Sequence, residues 1–358
     1  MQAMIFGGPG RYVQGPDVLT CFDEFAGGMG KRPLILTDGV LTEALRDALS
    51  VSLARMGAEP HFEIFEGECT AAAISALVGA GQRHRADMVV GAGGGKTIDT
   101  AKGARIELDV PLVIIPTIAS NDSPTSRLVV VYDESHRLVG TRLMRQSPEL
   151  VLVDTQLIAQ APIRFLRAGI GDAISKRFET EQAIAAGGRN FFGGRGGQIA
   201  LAISRHCYQT IREDAEAGLA AAARHQPDAA FERLVEACVL GSGLGFESGG
   251  LSVAHAMLRG FSQVSSLSKS LHGEQVAIGL LIQLQADAAP GVDVADLRAF
   301  YGRVGLPSTL RALGLTEPLE SVAPMMVEYV LRTAPYISNF RSELTQEHLL
   351  ASLMQAAA

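Results

Sequence analysis

The sequence predicts an α/β protein, with a doubly wound parallel sheet in its amino-terminal part and an all-helical carboxyl-terminal part. Short apolar runs alternate with helical patterns through residues 1–160, which is typical of parallel strands joined by crossover helices. After Asp154 the strand pattern stops and long helical patterns follow. A chain of 358 residues is also long for a single core. We therefore expect two domains, residues 1–160 and 161–358, with a ligand cleft between them.

Six short apolar runs are the candidate strands of the sheet. They are Pro33–Thr37, Phe62–Phe65, Met88–Val90, Leu112–Ile115, Leu128–Tyr132 and Leu150–Val153. Residues 41–56 and 70–84 lie between these runs and carry leucine or alanine at helical spacing, so we expect crossover helices there. In the second part, apolar side chains at positions 199, 203, 207 and 211 step by four, and similar faces recur around 231–240 and 276–286.

Composition and charge narrow the class of function. A hydrophobic fraction of 47% with 19% charged residues is that of a globular protein, and the net charge of −7 argues against a nucleic-acid partner. No apolar run approaches the length of about 20 residues that spans a bilayer, and the amino terminus lacks a basic-then-apolar signal, so we expect a cytoplasmic protein. Cys21, Cys69, Cys207 and Cys238 form no C-x-x-C pair, which indicates neither a disulfide framework nor a thiolate metal site. Small molecules are the expected ligands.

The stretch Gly91–Lys102 joins the apolar strand Met88–Val90 to a helix through a turn that is nearly free of side chains. Glycines allow close backbone approach and positive φ angles, and a helix amino terminus offers unpaired amides and a partial positive charge. This combination favours an anion, with a pyrophosphate as the expected group. Two named phosphate motifs are excluded, because Val90 stands where a Walker A loop needs its first glycine and Lys96 stands where G-x-G-x-x-G needs its last. An ordinary glycine-rich turn remains the alternative interpretation.

Two further segments follow predicted strands at the carboxyl edge of the sheet, where ligands bind in open α/β folds. Asp38 follows Pro33–Thr37, and its carboxylate can accept hydrogen bonds from both hydroxyls of an adenosine ribose while repelling a 2′-phosphate, which favours NAD over NADP. A turn or N-cap aspartate is an equal alternative. Pro116–Ser126 is rich in small hydroxylated residues that could line a cofactor or simply form a polar connection. Asp122, its one charged residue, is the candidate for binding a substrate hydroxyl.

Asp172, His255 and His272 are candidate metal ligands in the helical part. One carboxylate and two imidazoles can form a catalytic zinc site, because three protein ligands leave a coordination position open for water or substrate. The three residues have no short ligand spacing, however, and a histidine within a helix is more often a hydrogen-bonded structural residue. The pattern of these residues alone therefore leaves the metal site as a hypothesis.

Taken together, these motifs resemble those of glycerol dehydrogenases in the iron-containing alcohol dehydrogenase superfamily. The likeness begins at Gly10–Gly15 and continues through Gly93–Lys102 (GGGKTIDTAK), Pro116–Asp122 (PTIASND), Gly169–Ala173 (GIGDA), Phe246–Leu251 (FESGGL), His255 and His272–Glu274 (HGE). The resemblance implies a dehydroquinate synthase-like fold, in which a Rossmann-like NAD-binding domain precedes an all-helical metal-binding domain. It also implies NAD and a divalent metal, usually zinc, as cofactors.

The resemblance assigns roles residue by residue. Asp172, His255 and His272 would be the metal ligands, and Asp122 would contact the substrate. The positions implied for cofactor contact are Asp38, Gly94, Gly95, Lys96, Thr117, Ser120, Ser126, Leu128 and Tyr132. Iron-dependent members usually present a further histidine ligand, and since His348 is the only histidine after His272, the resemblance implies the three-ligand, zinc-type branch. It also implies a homo-oligomer, often an octamer.

The activity implied by the resemblance is oxidation of glycerol or another vicinal diol, with transfer of hydride to NAD. The product would be dihydroxyacetone or a hydroxyketone. Metal coordination would lower the pKa of the substrate alcohol, and a neighbouring hydroxyl on the same metal would explain a preference for vicinal diols.

Several positions depart from the family pattern. After the first histidine ligand, glycerol dehydrogenases continue with a histidine and an asparagine where this chain has Leu258 and Arg259. Before the second, they carry histidine and tyrosine where it has Ser268, Lys269 and Ser270. Two cations near a metal could favour an anionic substrate, so an NAD(P)-dependent hydroxycarboxylate dehydrogenase is the main alternative, unless Arg259 and Lys269 are surface or interface residues. A sugar-phosphate cyclase-type lyase and a non-catalytic assembly are more remote alternatives.

Overall fold

The computed structural model describes residues 3–134, 138–267, 269–287 and 293–357, and within these ranges the chain forms eight strands and sixteen α-helices. The strands are β1 Tyr12–Gly15, β2 Pro33–Asp38, β3 His61–Phe65, β4 Met88–Gly93, β5 Leu112–Pro116, β6 Leu128–Tyr132, β7 Leu138–Leu143 and β8 Leu150–Asp154. The helices are α1 Phe22–Ala26, α2 Thr42–Met56, α3 Ala71–His84, α4 Gly95–Leu108, α5 Thr155–Gln160, α6 Ile163–Ala173, α7 Lys176–Ala185, α8 Gln198–Ala223, α9 Ala229–Glu236, α10 Ser242–Gly249, α11 Val253–Phe261, α12 His272–Asp287, α13 Val294–Val304, α14 Leu310–Leu313, α15 Leu319–Thr333 and α16 Gln346–Ala357. Shorter helical turns are Val18–Cys21, Ser123–Thr125, Ala237–Gly241 and Ser265–Leu267. Among the described helices, none is long and apolar enough to cross a membrane.

Six strands form one all-parallel sheet in the order β1-β8-β5-β4-β2-β3. Alternate residues of β2 point to opposite faces of this sheet. Leu34 and Leu36 belong to a core cluster that includes α3 and α4, whereas Ile35 belongs to a second cluster that includes α2. Burial on both faces explains the continuous apolar runs from which the strands were predicted. The expected doubly wound parallel sheet is confirmed.

The direction in which the chain crosses the sheet reverses between β2 and β4. From β2 the chain adds β3 at one edge, and it then returns across β2 to β4, after which β5 and β8 extend the other side. In open α/β sheets, ligands bind outside the carboxyl ends of the strands at such a switch point. Asp38 ends β2 and Gly93 ends the neighbouring β4, so the fold places both predicted cofactor segments there.

The predicted membership of the parallel sheet is wrong at one strand. Leu128–Tyr132 forms β6, which pairs antiparallel with β7 in a separate two-stranded sheet. The apolar run of β6 is like that of a buried strand. Its partner β7, however, alternates between half-buried and exposed residues, which is typical of a hairpin that packs one face on the protein. The sixth parallel strand is instead β1, which pairs with β8. Its four residues, Tyr12–Gly15, are too few and too polar to give a clear strand pattern.

The helical part shares one continuous apolar core with the face of the sheet that carries α3 and α4. Within it, the contact between α6 and α12 matters most for the site, because Asp172 lies near the end of α6 and His272 begins α12. A Cβ atom added to Gly171 would lie 2.4 Å from the backbone oxygen of Gly273, closer than real Cβ contacts allow. Glycine at position 171 therefore lets the two helices approach closely enough to bring Asp172 beside His272.

We expect Gly171→Ala to lower the free energy of unfolding by about 1–3 kcal/mol, because the added methyl group would press against the α12 backbone. Gly302→Ala in α13 is the matched control, since a Cβ atom there meets nothing within 4 Å. That substitution should stabilise its helix by about 0.5–1 kcal/mol. Chemical unfolding followed by circular dichroism measures both changes, and effects of the same sign and size would contradict the close approach of α6 and α12.

Candidate active site

The structure brings the three predicted metal ligands, Asp172, His255 and His272, into one cluster. They offer ligand atoms that all lie within 4.8 Å of one another. His255 Nε2 lies 3.2 Å from Asp172 Oδ1, and His272 Nε2 lies 3.7 Å from the same oxygen. The packing of α6, α11 and α12 thus joins residues whose separation in the sequence gave no ligand spacing.

The chemistry of this cluster fits a divalent cation. Asp172 is fully buried, and its Oδ2 atom has no hydrogen-bond partner within the described part of the chain. A buried carboxylate oxygen without a partner is costly, and one carboxylate with two imidazoles is a donor set that zinc prefers. Burial opposes ionisation of Asp172, but the charge of Lys176 and the hydrogen bonds of both histidines outweigh it and hold the pKa well below its ordinary value. The carboxylate is therefore in the form that binds metal.

Glu179 orients His255, a function that sequence reasoning missed. It is buried on α7, and its Oε1 atom accepts hydrogen bonds from the backbone N–H groups of Ser252 at 2.9 Å and His255 at 3.0 Å, which satisfies the start of α11. Its Oε2 atom lies 2.6 Å from His255 Nδ1. A carboxylate at this position accepts a hydrogen bond from Nδ1–H, which leaves Nε2 directed toward Asp172 and a metal.

The pKa shifts of Glu179 and His255 reflect this pairing. Burial raises the pKa of Glu179, but the charge and hydrogen bond of His255 outweigh burial, and the net pKa is lowered. Burial lowers the pKa of His255, yet Glu179 outweighs it and the net pKa is raised. Each partner therefore stabilises the charged form of the other.

A fully buried lysine, also missed, lies in the same cluster. Lys176 Nζ donates to Asp172 Oδ1 at 2.5 Å, and it lies 3.1 Å from His255 Nε2 and 3.2 Å from Asp122 Oδ2. Burial opposes its charge, but Asp122, Asp172 and Glu179 outweigh burial and raise the pKa of Lys176 above its ordinary value. The available signal was the spacing of positions 172, 176 and 179, which places all three side chains on one helical face.

Asp122, the predicted substrate-binding residue, belongs to this network as well. Ser242 Oγ donates to Asp122 Oδ2 at 2.6 Å, the same oxygen that faces Lys176. The Asp122 side chain is 12% exposed, so it reaches the surface of the cluster. Two partners thus fix an aspartate beside the candidate metal ligands.

The predicted phosphate-binding turn lies at the amino terminus of α4, where Gly94 is the N-cap and Gly95 the first helical residue. No side chain caps this end among the described residues, so its amides are available to an anion. Residues 91–95, all described, have no positive φ angle. The glycines serve close approach instead: a Cβ atom on Gly95 would lie 2.9 Å from Asn121 Nδ2. Lys96 is exposed and its ammonium pairs with Glu68.

The segment from residue 117 to residue 126 connects this turn to the ligand cluster. Thr117 N–H donates to the last carbonyl of β4 at 3.1 Å. At the other end, the fully buried Lys102 donates to the carbonyl oxygens of Ser123 at 2.6 Å and Leu128 at 2.8 Å, and lies 3.3 Å from Ser126 Oγ. Lys102, the final lysine of the GGGKTIDTAK motif, thus holds two predicted cofactor positions, Ser126 and Leu128, in place.

The remaining predicted cofactor positions lie outside the cluster. Asp38 Oδ1 accepts a hydrogen bond from Leu41 N–H at 3.3 Å, which is the turn contact that the alternative interpretation expected, and Asp38 lies at the carboxyl end of the internal strand β2. Ser120 is half-buried in the loop. Tyr132 ends β6, and burial raises its pKa to about 12. Within the described ranges, no hydrogen bond or ion pair joins Asp38 or Tyr132 to the metal-ligand cluster.

Known proteins resemble the chain along nearly its whole length. The glycerol dehydrogenase of Escherichia coli O6:H1 is 35% identical over 352 residues, which covers 98% of this chain and 96% of that protein. The crystal structure of a probable glycerol dehydrogenase from Sinorhizobium meliloti 1021 matches with a TM-score of 0.93 at 33% identity, covering 99% of this chain and 98% of that one. The family model of iron-containing alcohol dehydrogenase matches residues 9–155. The chain belongs to the iron-containing alcohol dehydrogenase family.

Membership of the iron-containing alcohol dehydrogenase family makes the chain an oxidoreductase and confirms the resemblance inferred from its motifs. A more distant relative is hydroxycarboxylate dehydrogenase A of Escherichia coli K12, which is 28% identical over 299 residues and covers 81% of this chain and 80% of that protein. Glycerol dehydrogenases are therefore the nearer group of these relatives.

Arg259 and Lys269, which depart from the glycerol dehydrogenase pattern, differ in their exposure. Arg259 follows His255 by one turn of α11 and is half-buried, so it lies on the same face of the helix. Lys269 is exposed, and Ser268 lies outside the described residues. Arg259 thus lies one helical turn from a candidate ligand.

We expect Glu179→Gln to weaken zinc binding about 10–100-fold, because a neutral amide oxygen accepts the hydrogen bond from His255 Nδ1–H more weakly than a charged carboxylate does. Competition with a chromogenic chelator measures the affinity. Glu181→Gln on the same helix is the control, since Glu181 is 30% exposed and pairs with Arg177 and Arg205. Similar zinc affinities of the two variants would show that Glu179 does not act through His255.

Proposed function

We propose that this enzyme oxidises glycerol or another vicinal diol by transferring a hydride to NAD, which gives dihydroxyacetone or a hydroxyketone. The observation that carries the proposal is the cluster of Asp172, His255 and His272, with its unpartnered buried carboxylate oxygen and Asp122 alongside. Glycerol dehydrogenases among the relatives support a polyol as the substrate class.

Zinc is the metal we propose, because a carboxylate and two imidazoles suit it and leave a coordination position for substrate. When bound, the metal would supply Lewis-acid stabilisation of the negative charge on the substrate oxygen, and NAD would supply the hydride acceptor. Asp172, His255 and His272 would hold the metal. Glu179 keeps the ring of His255 in the required orientation.

The NAD site that we propose lies at the switch point of the sheet. The amides of the first turn of α4, from Gly94 and Gly95 onward, would bind the pyrophosphate, and Asp38 would bind the adenosine ribose. The other proposed contacts are Lys96, Thr117, Ser120, Ser126, Leu128 and Tyr132. The loop held by Lys102 supports this placement, because it lies over the glycine turn and leads directly to Asp122.

Asp122 positions the substrate in this proposal. Its carboxylate, held by Ser242 and Lys176, accepts a hydrogen bond from a substrate hydroxyl. A vicinal diol offers two neighbouring hydroxyls, so one can face the metal ligands while the other faces Asp122. The carbon–hydrogen bond of the reacting carbinol breaks with its electron pair as hydride, the hydroxyl proton leaves to water, and a ketone results.

The alternative function is a hydroxycarboxylate dehydrogenase. Arg259, one helical turn from His255, is the observation that favours it, since a guanidinium binds a carboxylate well. The relationship to hydroxycarboxylate dehydrogenase A is consistent with this class but more distant. The exposed Lys269 supports it less.

We also propose a domain boundary near residue 160, at the end of α5, so that residues 1–160 carry the NAD site and residues 161–358 carry the metal ligands. Two further properties remain predictions from the sequence. They are assembly into a homo-oligomer such as an octamer and location in the cytoplasm.

Purified, zinc-loaded protein should form NADH from glycerol and 1,2-propanediol, and prior treatment with a chelator should abolish this activity. Asp172→Asn should lower kcat/KM for the diols by about 100-fold or more, because it weakens the metal site. Asp296→Asn is the matched control: this aspartate is 50% exposed and pairs with Arg212 on the surface. Diol oxidation that survives removal of all metal would contradict the proposed role of the cluster.

A second assay separates the two substrate classes. If the enzyme is a diol dehydrogenase, Arg259→Ala should leave kcat/KM for glycerol within about threefold, because a neutral polyol gains little from a guanidinium, and 2-hydroxybutyrate should be a poor substrate. Lys269→Ala serves as a surface control. The opposite result would be efficient oxidation of 2-hydroxybutyrate by the unsubstituted enzyme, with kcat/KM lowered in Arg259→Ala but not in Lys269→Ala. That result would identify the enzyme as a hydroxycarboxylate dehydrogenase.

A further inference from the structure

The Lys176 ammonium shares two of its partners with the proposed metal. It donates to Asp172 Oδ1 at 2.5 Å and lies 3.1 Å from His255 Nε2, and both atoms belong to the ligand cluster. Its third partner is Asp122 Oδ2 at 3.2 Å. The Lys176 side chain is 1% exposed, so water does not screen its charge. One positive charge is therefore built into the place where a divalent cation would bind.

The surroundings explain why a cation is needed there. Three buried carboxylates, on Asp122, Asp172 and Glu179, lie around the ammonium. When His255 is neutral and its Nδ1–H donates to Glu179, as metal binding through Nε2 requires, the Nε2 lone pair faces Asp172 Oδ1 at a distance of 3.2 Å. Two acceptors at this distance repel each other unless a positive charge lies beside them. Lys176 supplies that charge from within the chain.

We propose that Lys176 is a resident cation of the active site, which holds Asp172, His255 and Asp122 in place without metal and competes with a divalent metal for Asp172 Oδ1 and His255 Nε2. The inference rests on the proposed function in one respect, that the cluster binds a divalent metal. Its consequence is a site that is already assembled before the metal arrives and that holds the metal less tightly than the three ligands alone would.

Zinc affinity of metal-free protein tests the competition directly. Lys176→Met removes the charge and keeps most of the volume, whereas Lys176→Gln also keeps a hydrogen-bond donor, which separates the effect of charge from that of hydrogen bonding. Both variants should bind zinc about tenfold more tightly than the unsubstituted protein in competition with a chromogenic chelator. Arg177→Met is the matched control, because Arg177 is the next residue on α7, is 34% exposed and pairs with Glu181, and its loss should leave zinc affinity unchanged.

Thermal unfolding provides a second readout that does not depend on activity. Without metal, Lys176→Met should unfold at a lower temperature than the unsubstituted protein, because the buried carboxylates lose their cation. Saturating zinc should raise the unfolding midpoint of the variant by more than it raises that of the unsubstituted protein. Circular dichroism establishes that both Lys176 variants are folded before the titrations are compared.

The outcomes separate this inference from the proposed function. If the unsubstituted protein binds zinc, Asp172→Asn does not, and both folded Lys176 variants bind it equally or more weakly, the metal site stands and the competition is overturned. If neither the unsubstituted protein nor a Lys176 variant binds zinc, the metal-dependent function fails and the inference fails with it. Tighter binding by both Lys176 variants supports the inference.

Discussion

The need to partner buried charges is the constraint on which the rest of this site depends. Asp172, Lys176 and Glu179 are almost completely removed from water, and a charged group in that environment is stable only with an opposite charge or with several hydrogen bonds. All three lie on one face of the continuous turn from α6 into α7, because Ile174 and Ser175 between the helices keep helical backbone angles. The partners of that face come from elements distant in sequence, which carry His255, His272 and Asp122. The arrangement of the helices and the arrangement of the charges therefore determine each other.

A second buried lysine, Lys102, links the site in the helical part to the sheet. Lys102 lies on α4, the helix that starts at the glycine turn, and it fastens the segment that contains Ser123 and Leu128. Asp122 directly precedes Ser123, and its side chain is held by Ser242 and Lys176. The aspartate thus lies between two anchored points, one on the sheet side and one in the helical part. A change in either part would displace it, which couples the proposed nucleotide site to the proposed metal site.

The sequence predicted the parts of this structure that depend on local pattern. Strands buried on both faces gave continuous apolar runs, and five of the six predicted strands lie in the parallel sheet. Leu128–Tyr132 carries the same kind of run but pairs in a hairpin, because partner choice depends on the alternating strand β7, which composition alone did not reveal. The three candidate metal ligands were predicted through the motifs that carry the family resemblance, and the structure brings them together. Lys176 and Glu179 were missed because a lysine or glutamate on a helix is usually solvated, and their burial depends on α11 and on the Asp122 loop, which are distant in sequence.

Exposure across the candidate ligand cluster is strongly asymmetric. The His272 side chain is 43% exposed, that of His255 8%, and that of Asp172 0%. His272 is the first residue of α12, and the adjacent Leu271 N–H is held by Glu274, whose partner Arg164 is on the surface. The cluster is therefore most open to solvent at His272. Lys176 lies beside Asp172, where water cannot compensate for its charge. A single positive charge in that position has a larger effect on cation binding than the same charge at the mouth of the site, because neither solvent nor salt weakens its field.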